Sequence, residues 1–154
     1  MTEIRALAPD EAAVSTPALI DLAIRAKGTW GYDDAFLEQF RTTMLGPFDT
    51  PGSTVLVAED DAALLGFAMV VDRGDHCWLE DLWVDPARQR QGIGALLFDA
   101  AVACARAAGH DRVDLEADPH AEPFYAAQGC ARYAVRSSAL RPGTTLPLMR
   151  LRLR

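Results

Sequence analysis

The residues best suited to chemistry lie where an apolar strand pattern passes through a glycine-containing turn into a helix pattern. Leu79–Val84 is rich in β-favouring residues, and Pro86 ends the strand because proline has no N–H group to donate. Gly92 and Gly94 allow the backbone to approach another group closely, and from Ile93 onward apolar residues recur every three or four positions. Because the N–H groups at a helix start have no partner within the helix, this stretch predicts an anion site, most naturally for a phosphate or pyrophosphate.

The predicted phosphate site combines backbone and side-chain donors. The backbone N–H groups from Gln91 to Ala95 are expected to hold the pyrophosphate, so the side chains there matter little beyond fit. Arg88 and Arg90 flank the turn and are candidates for direct phosphate contacts, although exposed arginines are commonly just solvated.

Two other nucleotide motifs fit this stretch less well. A Walker loop ends in Gly-Lys-Ser/Thr, whereas this chain has Gly-Ala-Leu after Ile93. A dinucleotide fingerprint needs a third small residue where Leu97 stands, although Asp114 or Glu116 has the spacing of a ribose partner. The residues alone therefore predict a phosphate cradle of unspecified type.

Two blocks of this sequence resemble one known family. Gln89-x-x-Gly92-x-Gly94, after a Leu-x-Val-Asp-Pro strand end, is similar to the acyl-CoA signature of the GNAT superfamily of N-acetyltransferases. The stretch from Asp118 to Gly129, with Tyr125 inside it, resembles that family's Asn-x-x-Ala-x-x-x-Tyr-x-x-x-Gly helix, with Asp in place of the usual Asn. The blocks cover roughly residues 79–130, in the expected order and with a strand between them.

The resemblance implies acetyl-CoA as co-substrate and no metal. Main-chain groups of the strand would pair with pantetheine, and the turn would hold the pyrophosphate. The residues expected to bind acetyl-CoA are Leu82, Trp83, Val84, Arg88, Gln89, Arg90, Gln91, Gly92, Gly94, Ala95, Asp118 and Tyr125.

The order of elements predicts an α+β fold with three layers. The patterns indicate one strand, two helices, three antiparallel strands, a helix, a strand, a short helix over Pro119–Gln128 and two final strands. The strands ending at Val84 and Ala117 flank a crossover helix and should run parallel. The resemblance implies a GNAT-like fold: a mixed, mostly antiparallel sheet of about seven strands, helices on both faces, and splayed central parallel strands.

Tyr125 is the predicted general acid. Amide formation from a thioester expels a thiolate, and a phenol with a pKa of ~10 is protonated at neutral pH and can supply the proton. The resemblance implies the same role, because Tyr125 matches the position of the general-acid tyrosine in the family's motif.

The general base is predicted among carboxylates at the strand ends, because a substrate amine with a pKa of ~8 to ~10.4 is mostly ammonium at pH 7. Glu80 is placed first. Glu116 follows, since its Leu-Glu-Ala context is similar to the Leu-Glu-Val of ribosomal-protein N-terminal acetyltransferases, whose Glu acts as base. Asp81, Trp30 and Tyr32 are predicted to contact the acceptor.

Composition favours one globular domain spanning residues 1–154. The net charge of −7 argues against nucleic-acid or anionic-membrane partners, and no apolar run reaches the ~20 residues of a membrane span. The N-terminus lacks the apolar core of a signal peptide, and three widely spaced cysteines suit a reducing cytoplasm and form no metal motif.

Taken with the resemblance, the sequence predicts a cytoplasmic N-acetyltransferase that moves an acetyl group from acetyl-CoA to a primary amine of a small molecule, amino acid or peptide. Direct attack in a ternary complex is expected. A homodimer through the C-terminal strands rests on family analogy. Two alternatives stay open: a non-catalytic acyl-CoA sensor or interaction module on the same fold, and a nucleotide-dependent oxidoreductase based only on Gly-x-Gly.

Overall fold

The computed structural model describes all 154 residues and contains seven strands and four helices. The strands are β1 (Glu3–Ala6), β2 (Ser53–Asp60), β3 (Ala63–Asp72), β4 (Cys77–Val84), β5 (Arg112–Glu116), β6 (Ala131–Ser137) and β7 (Thr145–Arg152). The helices are α1 (Pro9–Gly28), α2 (Asp34–Met44), α3 (Ile93–Ala107) and α4 (Glu122–Ala127). The single helix expected over Pro119–Gln128 is divided into a 3₁₀ turn at Pro119–Ala121 followed by α4.

One seven-stranded sheet forms the centre, in the order β1-β2-β3-β4-β5-β7-β6. Every neighbouring pair is antiparallel except β4 and β5, which are parallel because α3 crosses over between them. The prediction of a mixed, mostly antiparallel sheet is confirmed. None of the helices is both long and apolar enough to cross a membrane.

The two parallel strands part after a short paired stretch. β4 and β5 pair only through Cys77–Leu79 and Val113–Leu115, and their carboxyl ends diverge. The Asp85 N–H donates to a β3 carbonyl at 2.8 Å, so alternate β4 residues face β3. The backbone groups of Leu82 and Val84 therefore face the gap, and the predicted splay is confirmed.

A bulge interrupts β4 where it leaves β5. Met69 pairs with Asp81 and Val70 pairs with Leu79, which leaves Glu80 as the additional residue on β4. A bulge of this kind changes which side chains face each side of the sheet beyond it.

The bulge turns Asp81 away from the α3 layer. Before it, Leu79 packs in the core beneath α3, and after it Leu82 and Val84 do so. Trp83 instead packs on the opposite face, beneath α1 and α2, and its indole binds the Asp81 carboxylate. The bulge thus puts a carboxylate among apolar residues.

Each face of the sheet is covered by its own apolar layer. α3 buries Ile93, Leu97 and Phe98 against one face. α1 buries Leu19 and Leu22 against the other, with three- and four-residue spacing along the helix. Burial of this apolar area, at roughly 25 cal/mol per Å², fixes the sheet between the helices and holds the ends of β4 and β5 in place.

Candidate active site

Two cavities open at the carboxyl ends of the parted strands. The larger cavity has a volume of about 420 Å³ and lies between the end of β4, the start of α3 and α4. The smaller cavity, of about 310 Å³, lies between α2, the β4 bulge and the loop joining β6 to β7. Trp83 lines both and is their shared wall.

The larger cavity contains the predicted phosphate cradle. Gly92 has φ of +79° and caps α3, and Arg90 is also left-handed with φ of +65°. The first bond of α3 runs from the Leu96 N–H to the Gly92 carbonyl, so the N–H groups before Leu96 have no helical partner. Such an array attracts anions, and the helix dipole adds to that attraction.

Most of the residues predicted to bind acetyl-CoA line this larger cavity. They are Leu82, Trp83, Val84, Arg88, Gln89, Arg90, Gly92, Gly94, Ala95 and Tyr125. Gln91 lies in the same loop without lining the cavity, and Asp118 lines the smaller cavity instead.

Gly94 is favoured by tight packing rather than by its φ. A Cβ at this position would lie 3.1 Å from the Phe124 ring and 3.7 Å from Val84. A Cβ here would force the Phe124 ring to move by a few tenths of an ångström. The close approach of α3 to α4 places the phosphate cradle next to the Tyr125 helix.

Tyr125 is buried at the floor of the larger cavity, among the rings of Phe98 and Phe124. Burial raises the pKa of its phenol above the usual value, and the neighbouring Cys130 and Asp81 contribute in the same direction. Its hydroxyl therefore stays protonated at neutral pH, as a proton donor must.

Asp81 is the most unusual acid in the site. Only 6% of the residue is exposed; Oδ1 accepts a hydrogen bond from Trp83 Nε1 at 3.0 Å, and Oδ2 has no partner. Burial raises the pKa of Asp81 to about 7, with a smaller contribution from Glu80, and the Trp83 bond opposes the shift. A carboxyl that titrates near neutral pH can take up and release a proton under working conditions.

Glu80 and Glu116 also line the smaller cavity, but both have cationic partners. Glu80 is exposed and lies 3.7 Å from Arg73, and Glu116 lies 3.0 Å from Arg136. These acids are partly neutralised within the chain, unlike Asp81.

Asp118 forms a buried ion pair that the sequence analysis did not predict. Its Oδ2 accepts from Lys27 Nζ and from the Tyr32 hydroxyl, each at 2.8 Å, and its Oδ1 accepts from the His120 N–H at 2.8 Å. Burial alone would raise the pKa of Asp118, but the Lys27 ammonium and the His120 N–H outweigh it and hold the pKa below its usual value. Both carboxylate oxygens are thus engaged by the chain itself.

Aromatic rings surround the Lys27 ammonium. It lies 4.3 Å from the Phe40 ring centroid and 4.9 Å from that of Tyr32, with Trp30, Phe36 and Trp83 within 5.8 Å. The ring faces and Asp118 together replace the water that this cation loses on burial.

The structure separates Trp30 and Tyr32, which were both predicted to contact the acceptor. Trp30 stacks on His120 at 5.3 Å, and both rings line the larger cavity. Tyr32 stacks on Phe36 at 4.6 Å and lines the smaller cavity.

Lys27 and Arg141 were missed by sequence reasoning. Lys27 is the only lysine and continues the buried stripe of α1 set by Leu22, Ala23 and Ala26, so its spacing was a usable signal. Arg141 stands in a polar loop whose sequence gives no such signal.

Comparisons with known proteins identify the family and the fold of the chain. A sequence model of the acetyltransferase (GNAT) family matches residues 17–130. No curated protein matches the chain by sequence. No group of three or more His, Cys, Asp or Glu side chains is placed to hold a metal ion.

Solved structures share the fold at low sequence identity. PaiA N-acetyltransferase from Thermoplasma acidophilum, in complex with coenzyme A, has a TM-score of 0.79 at 17% identity over 99% of each chain. The ribosomal-protein-S18-alanine N-acetyltransferase of Escherichia coli has a TM-score of 0.74 at 20% identity, over 99% of this chain and 94% of that one. An aminoglycoside 6'-N-acetyltransferase complexed with coenzyme A has a TM-score of 0.74 at 18% identity, over 97% and 96%.

At these identities the structural likeness establishes the fold, while the family match covers most of the sequence, including the phosphate cradle and Tyr125. The chain therefore belongs to the acetyltransferase (GNAT) family and is an acetyltransferase.

Proposed function

We propose that this enzyme transfers an acetyl group from acetyl-CoA to a primary amine of a small molecule, amino acid or peptide, by direct attack in a ternary complex. The observation that carries the proposal is the meeting of two cavities at Trp83. One offers free N–H groups and an open strand edge, and the other offers a buried carboxylate. The acetyl donor and the amine acceptor can therefore be held at the same time.

The larger cavity suits acetyl-CoA. The N–H groups from Gly92 to Ala95 can hold the pyrophosphate, with Arg88 and Arg90 beside them. The backbone groups of Leu82 and Val84 face the gap beside β4 and can pair with the amides of pantetheine. When bound, acetyl-CoA supplies a thioester whose carbonyl carbon the amine attacks, forming the N–C bond as the C–S bond breaks.

We propose Tyr125 as the proton donor. Its phenol remains protonated in this buried position and can give its proton to the departing sulfur. Because a primary ammonium gives up two protons during amide formation, one restores Tyr125 and the other leaves through the base.

For the base we propose Asp81 ahead of Glu80 and Glu116. Asp81 has one oxygen without a partner and a pKa of about 7, so a large fraction is ionised near neutral pH and can accept the ammonium proton. Glu80 and Glu116 each have an arginine partner and are better suited to shaping the charge of the smaller cavity.

Asp118, predicted to contact pantetheine, has a different proposed role. Because its oxygens are engaged by Lys27, Tyr32 and His120, we infer that it positions the aromatic wall between the cavities. This explains why an acid replaces the family's usual Asn: Lys27 requires a negative charge beside it.

We further propose that residues 1–154 form one N-acetyltransferase domain able to form a homodimer through the C-terminal strands. β6 is the edge strand and is exposed along its whole length, with Val135 52% exposed. Light scattering on wild type and on Val135→Lys tests the dimer; a mass of one chain in both would contradict it.

The experiment that tests the function has two arms. Thermal unfolding is followed with millimolar acetyl-CoA, NAD or ATP; a ligand at ~100 times its dissociation constant adds ~2.7 kcal/mol of stability. CoA release is then measured with a panel of primary amines. We expect a shift with acetyl-CoA alone and steady CoA release with at least one amine. Binding without release from any amine would instead favour a non-catalytic acyl-CoA sensor.

A further inference from the structure

The smaller cavity is lined by equal numbers of acidic and basic side chains. Four acidic and four basic side chains line it, and three of each form ion pairs with one another. The pairs are Lys27 with Asp118 at 2.8 Å, Arg73 with Glu80 at 3.7 Å, and Arg136 with Glu116 at 3.0 Å. One acid, Asp81, and one base, Arg141, remain without a charged partner.

Asp81 has one buried oxygen whose hydrogen-bonding capacity is unused. It is nine-tenths buried, its Oδ2 has no hydrogen-bond partner, and it is the only side chain with a buried polar atom left in that state. A buried oxygen without a partner is destabilising unless something arrives to bind it. An ammonium or amine in the smaller cavity supplies the missing donor.

Arg141 also lines the cavity and lies over two of its aromatic rings. Its guanidinium carbon lies 5.3 Å from the Tyr32 ring centroid and 5.7 Å from that of Phe36. The loop that carries it is closed by its own bonds: the Arg141 N–H donates to Ser138 Oγ at 3.1 Å, and the Thr144 N–H donates to the Arg141 carbonyl at 3.1 Å.

The guanidinium of Arg141 thus lies over aromatic rings while its N–H donors remain available. The Tyr32 and Phe36 rings bind none of these N–H groups, and no carboxylate pairs with Arg141. Arginine in this state suits a planar or tetrahedral anion, because its fixed fork matches carboxylate and phosphate geometry.

We propose that the acceptor is a small amine that also carries an anionic group, a carboxylate or phosphate, with its amine at Asp81 and its anionic group at Arg141. The inference rests on the proposed function and narrows its acceptor to amino acids and similar zwitterions. An amine without an anionic group would leave Arg141 without a partner. A ligand with two anionic groups and no amine would be repelled by the carboxylate of Asp81. A cavity of about 310 Å³ is at the lower end of ligand-pocket sizes, which suits a small molecule.

The test uses matched acceptors. CoA release is measured with the twenty standard L-amino acids and their amides, and with 2-aminoethyl phosphate against ethanolamine. For at least one pair we expect the anionic member to have a kcat/KM at least about ten-fold higher, as a charge-assisted hydrogen bond gives. The amino-acid arm and the aminoethyl arm distinguish a carboxylate from a phosphate.

The Arg141→Gln variant assigns the preference to one residue. We expect it to raise KM for the anionic acceptor about ten-fold, with kcat nearly unchanged and the neutral partner unaffected. Arg141→Lys should retain part of the preference. Arg132→Gln, which removes an exposed arginine paired with Glu122 outside the cavity, should retain all of it.

Two results would overturn this inference while leaving the proposed function intact. One is an equal kcat/KM for the neutral and anionic members of every pair, and the other is an equal loss of kcat/KM for both members in Arg141→Gln. The failure of every amine to release CoA would contradict the proposed function itself, so the two failures are distinguishable.

Discussion

The two cavities are built in different ways. The larger cavity is made mainly of backbone: unpaired N–H groups at the start of α3, two left-handed residues and the open edge of β4. The smaller cavity is made of side chains from distant parts of the chain, such as Lys27 and Asp118, which are 91 residues apart. A backbone site is encoded in one short motif, whereas a side-chain site depends on the whole fold. With the proposed assignment of the cavities, recognition of acetyl-CoA is the local property and recognition of the acceptor is the distributed one.

The largest loss of rate should come from one side chain in the smaller cavity, Asp81. Asp81→Asn removes the proposed proton acceptor and should lower kcat by roughly 10²–10⁴-fold, while acetyl-CoA affinity stays the same. In wild type, kcat/KM should fall as the pH drops below about 7, because Asp81 must be ionised to accept a proton and its pKa is about 7.

Glu80→Gln is the matched control for Asp81. It changes the neighbouring carboxylate, which is exposed and faces Arg73, and should alter kcat only a few-fold. A larger loss in Glu80→Gln than in Asp81→Asn would return the role of base to Glu80.

Stability should be most sensitive at the buried ion pair between the cavities. Asp118→Asn leaves the Lys27 ammonium buried without a counter-charge and should lower the free energy of unfolding by about 3–5 kcal/mol. The double variant Lys27→Met/Asp118→Asn should recover most of that loss, since an apolar side chain of similar size suits the surrounding rings.

Urea unfolding measures both variants against Asp21→Asn, which breaks an exposed pair with Arg25 on α1 and should cost about 1 kcal/mol or less. If the double variant is no more stable than Asp118→Asn, the ion pair is not the source of the loss. An unchanged dissociation constant for acetyl-CoA in the double variant would separate Asp118 from pantetheine binding.

Tyr125→Phe tests the proposed proton donor at the floor of the larger cavity. The substitution keeps the ring packed against Phe98 and Phe124 and removes only the hydroxyl, so we expect turnover to slow by at least about ten-fold with little change in stability. Tyr133→Phe on the exposed edge strand β6 is the control and should leave turnover unchanged. Unchanged turnover in Tyr125→Phe would remove it from the mechanism.

The difference between the cavities also explains what the sequence could predict. The order of elements, the parallel pair and the start of α3 follow from local patterns, and the structure has them within a residue or two. The β4 bulge does not, because nothing in the run from Leu79 to Val84 marks Glu80 as an additional residue. Because the sequence does not reveal the bulge, it does not show which face of the sheet Glu80 and Asp81 each occupy. The buried carboxylate of Asp81 could therefore not be identified from the sequence.

The ion pairs of the smaller cavity were hidden for a related reason. Arg136 and Arg141 are exposed residues among fourteen arginines. Only the fold brings Arg136, on β6, to Glu116 and Arg141, in the β6–β7 loop, to Tyr32. Lys27 is the exception, because the spacing of the buried stripe on α1 already marks it as a buried charge that needs a partner.

The smallest expected effect lies at Trp83, which belongs to both cavities. Its indole N–H donates to Asp81 Oδ1 at 3.0 Å and stabilises the ionised carboxylate, so that the pKa of Asp81 is lower than burial alone would make it. Trp83→Phe keeps an aromatic wall and removes this donor. The pKa of Asp81 should therefore rise, and the acidic limb of the kcat/KM profile should move to higher pH by roughly half to one unit, the equivalent of one hydrogen bond.

Trp78→Phe is the control, because it also changes a tryptophan of the smaller cavity but removes no bond to Asp81, and it should leave the acidic limb in place. A limb that moves to lower pH in Trp83→Phe, or moves equally in both variants, would show that the titrating group is not Asp81. If only Trp83→Phe moves it upward, the residue that walls the larger cavity also sets the proton affinity of the base in the smaller one.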